Sequence, residues 1–176
     1  MIKIIYQKSV KDLGEKIANK KDAVPAGGTT SALNGYLAVS LLKLVFEVSI
    51  KNFSKEEIKR IKKTLTNSEK DFLKLMEEDI TAFKMNSKSN FKDNNKLKKL
   101  IEVPLEIVKI ASEILKLTEL FKNNIKSSVK ADYDIVLENL KTAKKGAITI
   151  IESNYQFFAD YSQVVKKAKE KIRKLK

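Results

Sequence analysis

The sequence predicts an all-α fold: a single-domain bundle of about five helices over residues 1–176, built around one buried central helix. Three observations carry this. Only two prolines and five glycines punctuate 176 residues. Strict apolar–polar alternation is scarce, whereas apolar residues recur at three- and four-residue spacing. The segment Thr30–Asn52 is apolar nearly all round, which marks a helix packed on several sides. A chain of this length buries roughly 70% of its unfolded surface and needs no metal or disulfide to hold it.

The elements follow in order. A first amphipathic helix is expected near Ser9–Lys20, and the central one over Thr30–Asn52. "SKEE", Ser54 to Glu57, is a capping box that starts a third helix over Lys55–Ser87. The polar stretch "NSKSNFKDNN" (Asn86 to Asn95) is a loop. A fourth helix spans Lys96–Lys122, with Pro104 either kinking it or lying in the first turn of its main segment. After a second polar loop, Lys122 to Ala131, the last helix runs Asp132–Lys174. Its tail keeps an apolar stripe (Tyr161, Val164, Val165, Ala168, Ile172, Leu175) that needs a surface to pack on, a second subunit included. No internal repeat and no domain-dividing linker is visible.

Composition excludes several chemistries. Without cysteine there is no thiol nucleophile and no thiolate metal site. Without histidine there is no Ser–His–Asp triad and no histidine base or ligand. Carboxylates, lysines, hydroxyls, amides, tyrosines and backbone groups remain. The net charge is +14, almost wholly lysine, since Arg60 and Arg173 are the arginines. Residues 161–176 hold seven basic side chains and one acid, a local +6. That charge attracts anions, but a solvated basic helix is a better reading of it than a nucleic-acid surface. "MIKIIYQKSV" has too short an apolar core for a signal peptide, and Asn34, Lys43 and Glu47 interrupt the apolar run as they would not in a membrane span. A soluble, cytoplasmic protein is expected.

Polar residues inside apolar stripes are the informative ones. Asp79 has Leu75, Met76, Ala82 and Phe83 at its helical neighbour positions and should point inward, unlike Glu77 and Glu78. A desolvated carboxyl has a raised pKa and can donate as well as accept a proton. It could equally be paired with a lysine or a helix end. Asn154, among Ile150, Ile151, Phe157 and Phe158, either bridges two helices or grips a polar heterocycle. Asp132 suits a cap or first turn, and Lys43 should pair with Glu47 or snorkel. Gly27–Gly28 leads into a helix N-terminus with free N–H groups. It lacks the Lys–Ser/Thr ending of a P-loop and the spacing of a dinucleotide fingerprint.

In combination these residues are similar to a known family. "PAGGTTSALNGYLAVSLLKLV" resembles the Pro–Gly–Gly–Gly–Ser opening of the formiminotransferase-cyclodeaminase C-terminal family. "LMEEDITAF" (Leu75 to Phe83) resembles its Asp–x–x–Ala–Phe helix, and "EVPLEIVKIA" its Val–Pro–Leu segment. "ADYDIVLENLKTAKKGAITIIESN" matches its Ser–Asp helix from Asp132 through Gly146–Ala147 to Asn154 without a gap. The resemblance covers about Ser9 to Phe158. It implies an all-α homodimer acting on a tetrahydrofolate derivative that carries a one-carbon unit, with or without a polyglutamate tail, and needing neither cofactor nor metal. Asp132 and Asp79 would be the acid–base candidates. Gly27, Gly28 and Thr29 would form a wall of the folate pocket, and Asn154 would contact the pterin or orient an aspartate.

The chain departs from that pattern at Ala26, Thr29, Ala131, Ile150 and Ile125–Lys126, where the family has Gly, Ser, Ser, Asn and Gly–Asn. The expected reaction is hydrolysis of 5,10-methenyltetrahydrofolate to the 10-formyl form (cyclohydrolase), placed first because no formiminotransferase segment accompanies the domain. The alternatives are 5-formiminotetrahydrofolate cyclodeaminase, which releases ammonia, and a non-catalytic member that binds an anionic ligand or polynucleotide.

Overall fold

The computed structural model describes residues 9–158 and 163–175. The opening MIKIIYQK, Tyr161 of the tail stripe and Lys176 lie outside them. The described residues form an all-α bundle: α1 (Val10–Ile17), α2 (Gly27–Ser49), α3 (Lys55–Lys88), a short α4 (Asn94–Leu97), α5 (Lys99–Thr118), α6 (Lys130–Asn154) and α7 (Gln163–Leu175).

The ends of these helices follow from local chemistry. Ser9 caps α1 by accepting from the Asp12 N–H at 3.1 Å. The Ser54–Glu57 capping box starts α3, with the Ser54 N–H donating to Glu57 Oε2 at 2.8 Å and the Glu57 N–H to Ser54 Oγ at 3.3 Å. Two reciprocal bonds satisfy donors that a bare helix start would leave open.

The α2 helix is central, with α3 and α6 packed antiparallel along two of its sides. Small residues set the register. A Cβ on Gly35 would lie 2.4 Å from the Phe72 ring of α3, and one on Gly146 of α6 would lie 2.4 Å from Ser31 Oγ. Ala32, Ala38, Val39, Leu42 and Val45 are wholly buried between the neighbours. The outer side of α2 stays open: Leu37 and Leu44 are 47% and 51% exposed. By length and composition Gly27–Asn52 could cross a membrane, yet Lys43 pairs with Glu69 and Glu47 with Lys62 across to α3. Lys43 therefore does not pair with Glu47 as expected, because the facing helix offers Glu69.

At the end of the bundle where α2 finishes, Phe46, Phe53 and Phe121 meet ring to ring at 5.1–6.0 Å and are at most 7% exposed. Each such burial stabilises the fold by about 1.5–3 kcal/mol. Tyr133 joins them and donates its hydroxyl to the Thr118 carbonyl at 2.9 Å.

Two expectations are corrected. The fourth helix divides into α4 and α5, and Pro104 lies inside α5 rather than in its first turn. The last helix does not run unbroken to Lys174. It ends at Asn154, turns through the 3-10 segment Tyr155–Phe157, and extends at Phe158 (φ −110°, ψ 142°) before α7. No glycine or proline marks the break. Phe157 and Phe158 pack against Ala82, Leu97 and Leu100, a burial that a straight helix would forgo.

Candidate functional site

The N-terminus of α2 is an uncapped helix start. Ala26 at its cap position offers no side-chain acceptor, and Gly27, Gly28 and Thr29 carry the first free N–H groups. The missing cap is supplied from α3. Asp79 Oδ2 accepts the Thr29 hydroxyl at 2.8 Å, and the carboxyl also accepts the Thr29 backbone N–H. A carboxylate from another helix thus satisfies the positive end of α2.

Glycine makes this approach possible. A Cβ on Gly28 would lie 2.0 Å from Asp79 Oδ1 and 2.5 Å from its Cγ. Any side chain there would drive the carboxyl out. Gly27 plays the same part toward α6, where Ile150 Cδ1 would lie 2.8 Å from its Cβ. Burial pushes the Asp79 pKa up, and the two Thr29 hydrogen bonds only partly oppose it. Asp79 is half-buried, as are Glu77 and Glu78, so all three retain some access to solvent.

Asn154, the last residue of α6, sits at the same end of the bundle as Ile150 and Gly27. Its Nδ2 donates to the Leu100 carbonyl of α5 at 2.7 Å. It therefore bridges two helices, and one of its two amide N–H donors is committed to that bond.

Asp132 does not join this cluster within the chain. It lies in the first turn of α6, half-buried, behind Val129 at the cap position. At 1.5 Å per residue, roughly 27 Å of helix separates it from Ile150. The antiparallel register places it beside the C-terminal end of α2, where Ser49 Oγ accepts from the Lys126 N–H at 3.1 Å. Gly27, Gly28, Thr29, Asp79 and Asn154 are brought to one end, and Asp132 to the other.

Three aromatic residues border the cluster; in the sequence Phe83 and Phe157 entered only as apolar neighbours of Asp79 and Asn154, and Phe91 only as part of a polar loop. Phe83 follows Asp79 by four residues on α3, Phe91 lies in the α3–α4 turn, and Phe157 follows α6. Phe83 meets Phe91 edge-on at 5.6 Å, and Phe91 stacks on Phe157 at 4.4 Å with 11° between planes. The sequence signal for Phe91 is an aromatic residue alone within a polar loop.

The chain matches the formiminotransferase-cyclodeaminase family over residues 9–174, nearly its whole length, and belongs to that family. Among solved structures, the crystal structure of formiminotetrahydrofolate cyclodeaminase from Thermotoga maritima superposes with a TM-score of 0.87. The match covers 97% of this chain and 89% of that one at 18% sequence identity, a likeness of fold. No curated protein matches the chain with significance.

Proposed function

We propose that the chain acts on a tetrahydrofolate carrying a one-carbon unit between N5 and N10, with Asp79 moving the proton. The observation that supports this is the Thr29–Asp79 pair. It places a carboxyl with raised pKa at a helix N-terminus, accessible and held by a hydroxyl. Burial that disfavours its charged form lets such a group hold a proton more readily than an exposed aspartate, as a proton-shuttling carboxyl must.

Cyclodeaminase is the first reading. N10 of a protonated 5-formimino substrate attacks the formimino carbon, and a tetrahedral carbon forms between N5 and N10. The N10 proton passes through the carboxyl to the amino nitrogen, the C–N bond breaks, and ammonia leaves with 5,10-methenyltetrahydrofolate. Membership of the family supports this order, as does the name of a fold relative that is matched over nearly its full length. Cyclohydrolase chemistry adds water at the same carbon and would use the same carboxyl as base.

One assay separates the readings. Purified protein mixed with 5-formiminotetrahydrofolate should release ammonia while methenyl absorbance rises. With 5,10-methenyltetrahydrofolate, loss of that absorbance would instead reveal the cyclohydrolase. No turnover and no binding of either compound would overturn the enzymatic reading and leave a helical module for other anionic ligands.

The open α2 face with Leu37 and Leu44 fits the homodimer that the resemblance implies. A two-fold axis across the middle of α2 would set two such helices antiparallel. It would carry the partner's Asp132 toward the Thr29 end, giving Asp132 a place in the site that it lacks within one chain.

A further inference from the structure

We propose that Phe83, Phe91 and Phe157 form the platform on which the flat, nitrogen-rich ring of the ligand stacks, with Phe91 as the residue that sets its position. The proposal rests on the folate reading above and names the part of the site that takes the ring.

The three rings continue the surface that begins at Asp79. Residues four apart on a helix share a face, so Phe83 lies one turn beyond the carboxyl. Phe91 touches Phe83 edge-on, Phe157 lies flat against Phe91, and Asn154 is three residues before Phe157. A ligand whose reacting carbon reaches Asp79 would have its planar end over these rings.

The trio differs from the aromatic cluster at the other end of the bundle. Phe46, Phe53 and Phe121 are at most 7% exposed, whereas Phe83, Phe91 and Phe157 are each half-buried. The first cluster is filled core. The second keeps aromatic surface open to water, and a flat ring stacked there would cover it.

The backbone goes out of its way to present Phe91. Asn90 and Phe91 both adopt left-handed backbone, at φ 48° and 55°, a region that a bulky side chain rarely occupies. Asn86, wholly buried, holds the turn in place. Its carbonyl accepts the Phe91 N–H at 2.9 Å, and its amide donates to the Ala82 carbonyl at 2.8 Å and the Lys96 carbonyl at 2.9 Å. Among the described residues the Asn86 Oδ1 is buried without a hydrogen-bond partner, an unused acceptor beside the platform. A solvated connection between α3 and α4 needs neither the strained turn nor the phenylalanine.

The test uses the full chain and 5-formyltetrahydrofolate, a probe that carries a one-carbon unit at N5, titrated by calorimetry. Phe91→Leu is expected to raise Kd about tenfold, since stacking on an aromatic side chain supplies binding of that order. Phe91→Tyr, which keeps the ring, should stay within about twofold. Phe53→Leu, at the far end, should lower Tm and leave Kd unchanged. Saturation-transfer NMR on the unmodified protein should connect the ligand ring protons to phenylalanine rings, and this readout holds even if Phe91→Leu fails to fold. If the probe binds but Phe91→Leu keeps the same Kd, or no phenylalanine contact is seen, the platform is overturned and the folate reading stands. If no folate binds the unmodified protein, the folate reading falls, and the platform with it.

Discussion

Asn154 donates its side-chain amide to the Leu100 carbonyl at 2.7 Å, and that carbonyl is the one Pro104 leaves without a helical partner. In an α-helix the N–H of residue 104 would bond to the carbonyl of residue 100. Proline has no N–H, so the acceptor is orphaned. An asparagine from the end of α6 fills the gap and fixes α6 against α5.

This pairing predicts a coupled response to mutation. Asn154→Ala should destabilise the fold by about 1–2 kcal/mol, because it strands a carbonyl between helices. With Pro104→Ala in the background, the backbone N–H returns and the same Asn154→Ala change should cost much less. Urea unfolding of the four proteins measures the coupling. Equal costs in both backgrounds would sink the explanation.

Gly28→Ala should separate Asp79 from Thr29. The new methyl would occupy the position of Asp79 Oδ1, only 2.0 Å away, so the carboxyl must swing out. The cost should be about 1–3 kcal/mol of stability. Turnover of 5-formiminotetrahydrofolate should be lost as completely as in Asp79→Asn. Retention of full activity would remove Asp79 from the chemistry.

Asp79 also leaves a mark on pH dependence. Burial raises its pKa, so folding favours the protonated carboxyl. Its contribution to stability is full below the ordinary aspartate range and is lost as pH rises through the raised value. Asp79→Asn should therefore flatten this part of the curve, with its Tm gaining on the parent protein as pH rises across that window. Parallel Tm–pH profiles for the two proteins would contradict the assignment.

Complementation tests the placement of Asp132. Asp79→Asn and Asp132→Asn chains, each inactive alone, should regain activity when unfolded together and refolded as a mixture. Random pairing puts about half of all dimers in the mixed form, with one intact site each under the two-fold arrangement. No recovery, with dimers verified by light scattering, would show that the two aspartates do not meet across copies.

The sequence determined the helices and their number closely, because spacing, caps and turn residues are local. Ser9 and Ser54 cap where their side chains can reach the next turn, and Asp79 is marked by four apolar neighbours. The family pattern likewise placed Gly27, Gly28, Thr29, Asp79 and Asn154 in order along the chain, and all five lie at one end of the bundle. What residues far apart in the chain do to one another was decided only by the tertiary structure. That Asp79 caps α2, that Asn154 answers Pro104, and that Lys43 finds Glu69 are pairings between helices, set by a register that no local pattern encodes. The break after Asn154 has the same origin, since Phe157 leaves the helix to reach Phe91 on another element. Asp132 shows the contrast most clearly. Its helix position was readable from its neighbours, but its separation from Asp79 follows from α2, α3 and α6 packing antiparallel, a relation that exists only once the chain has folded.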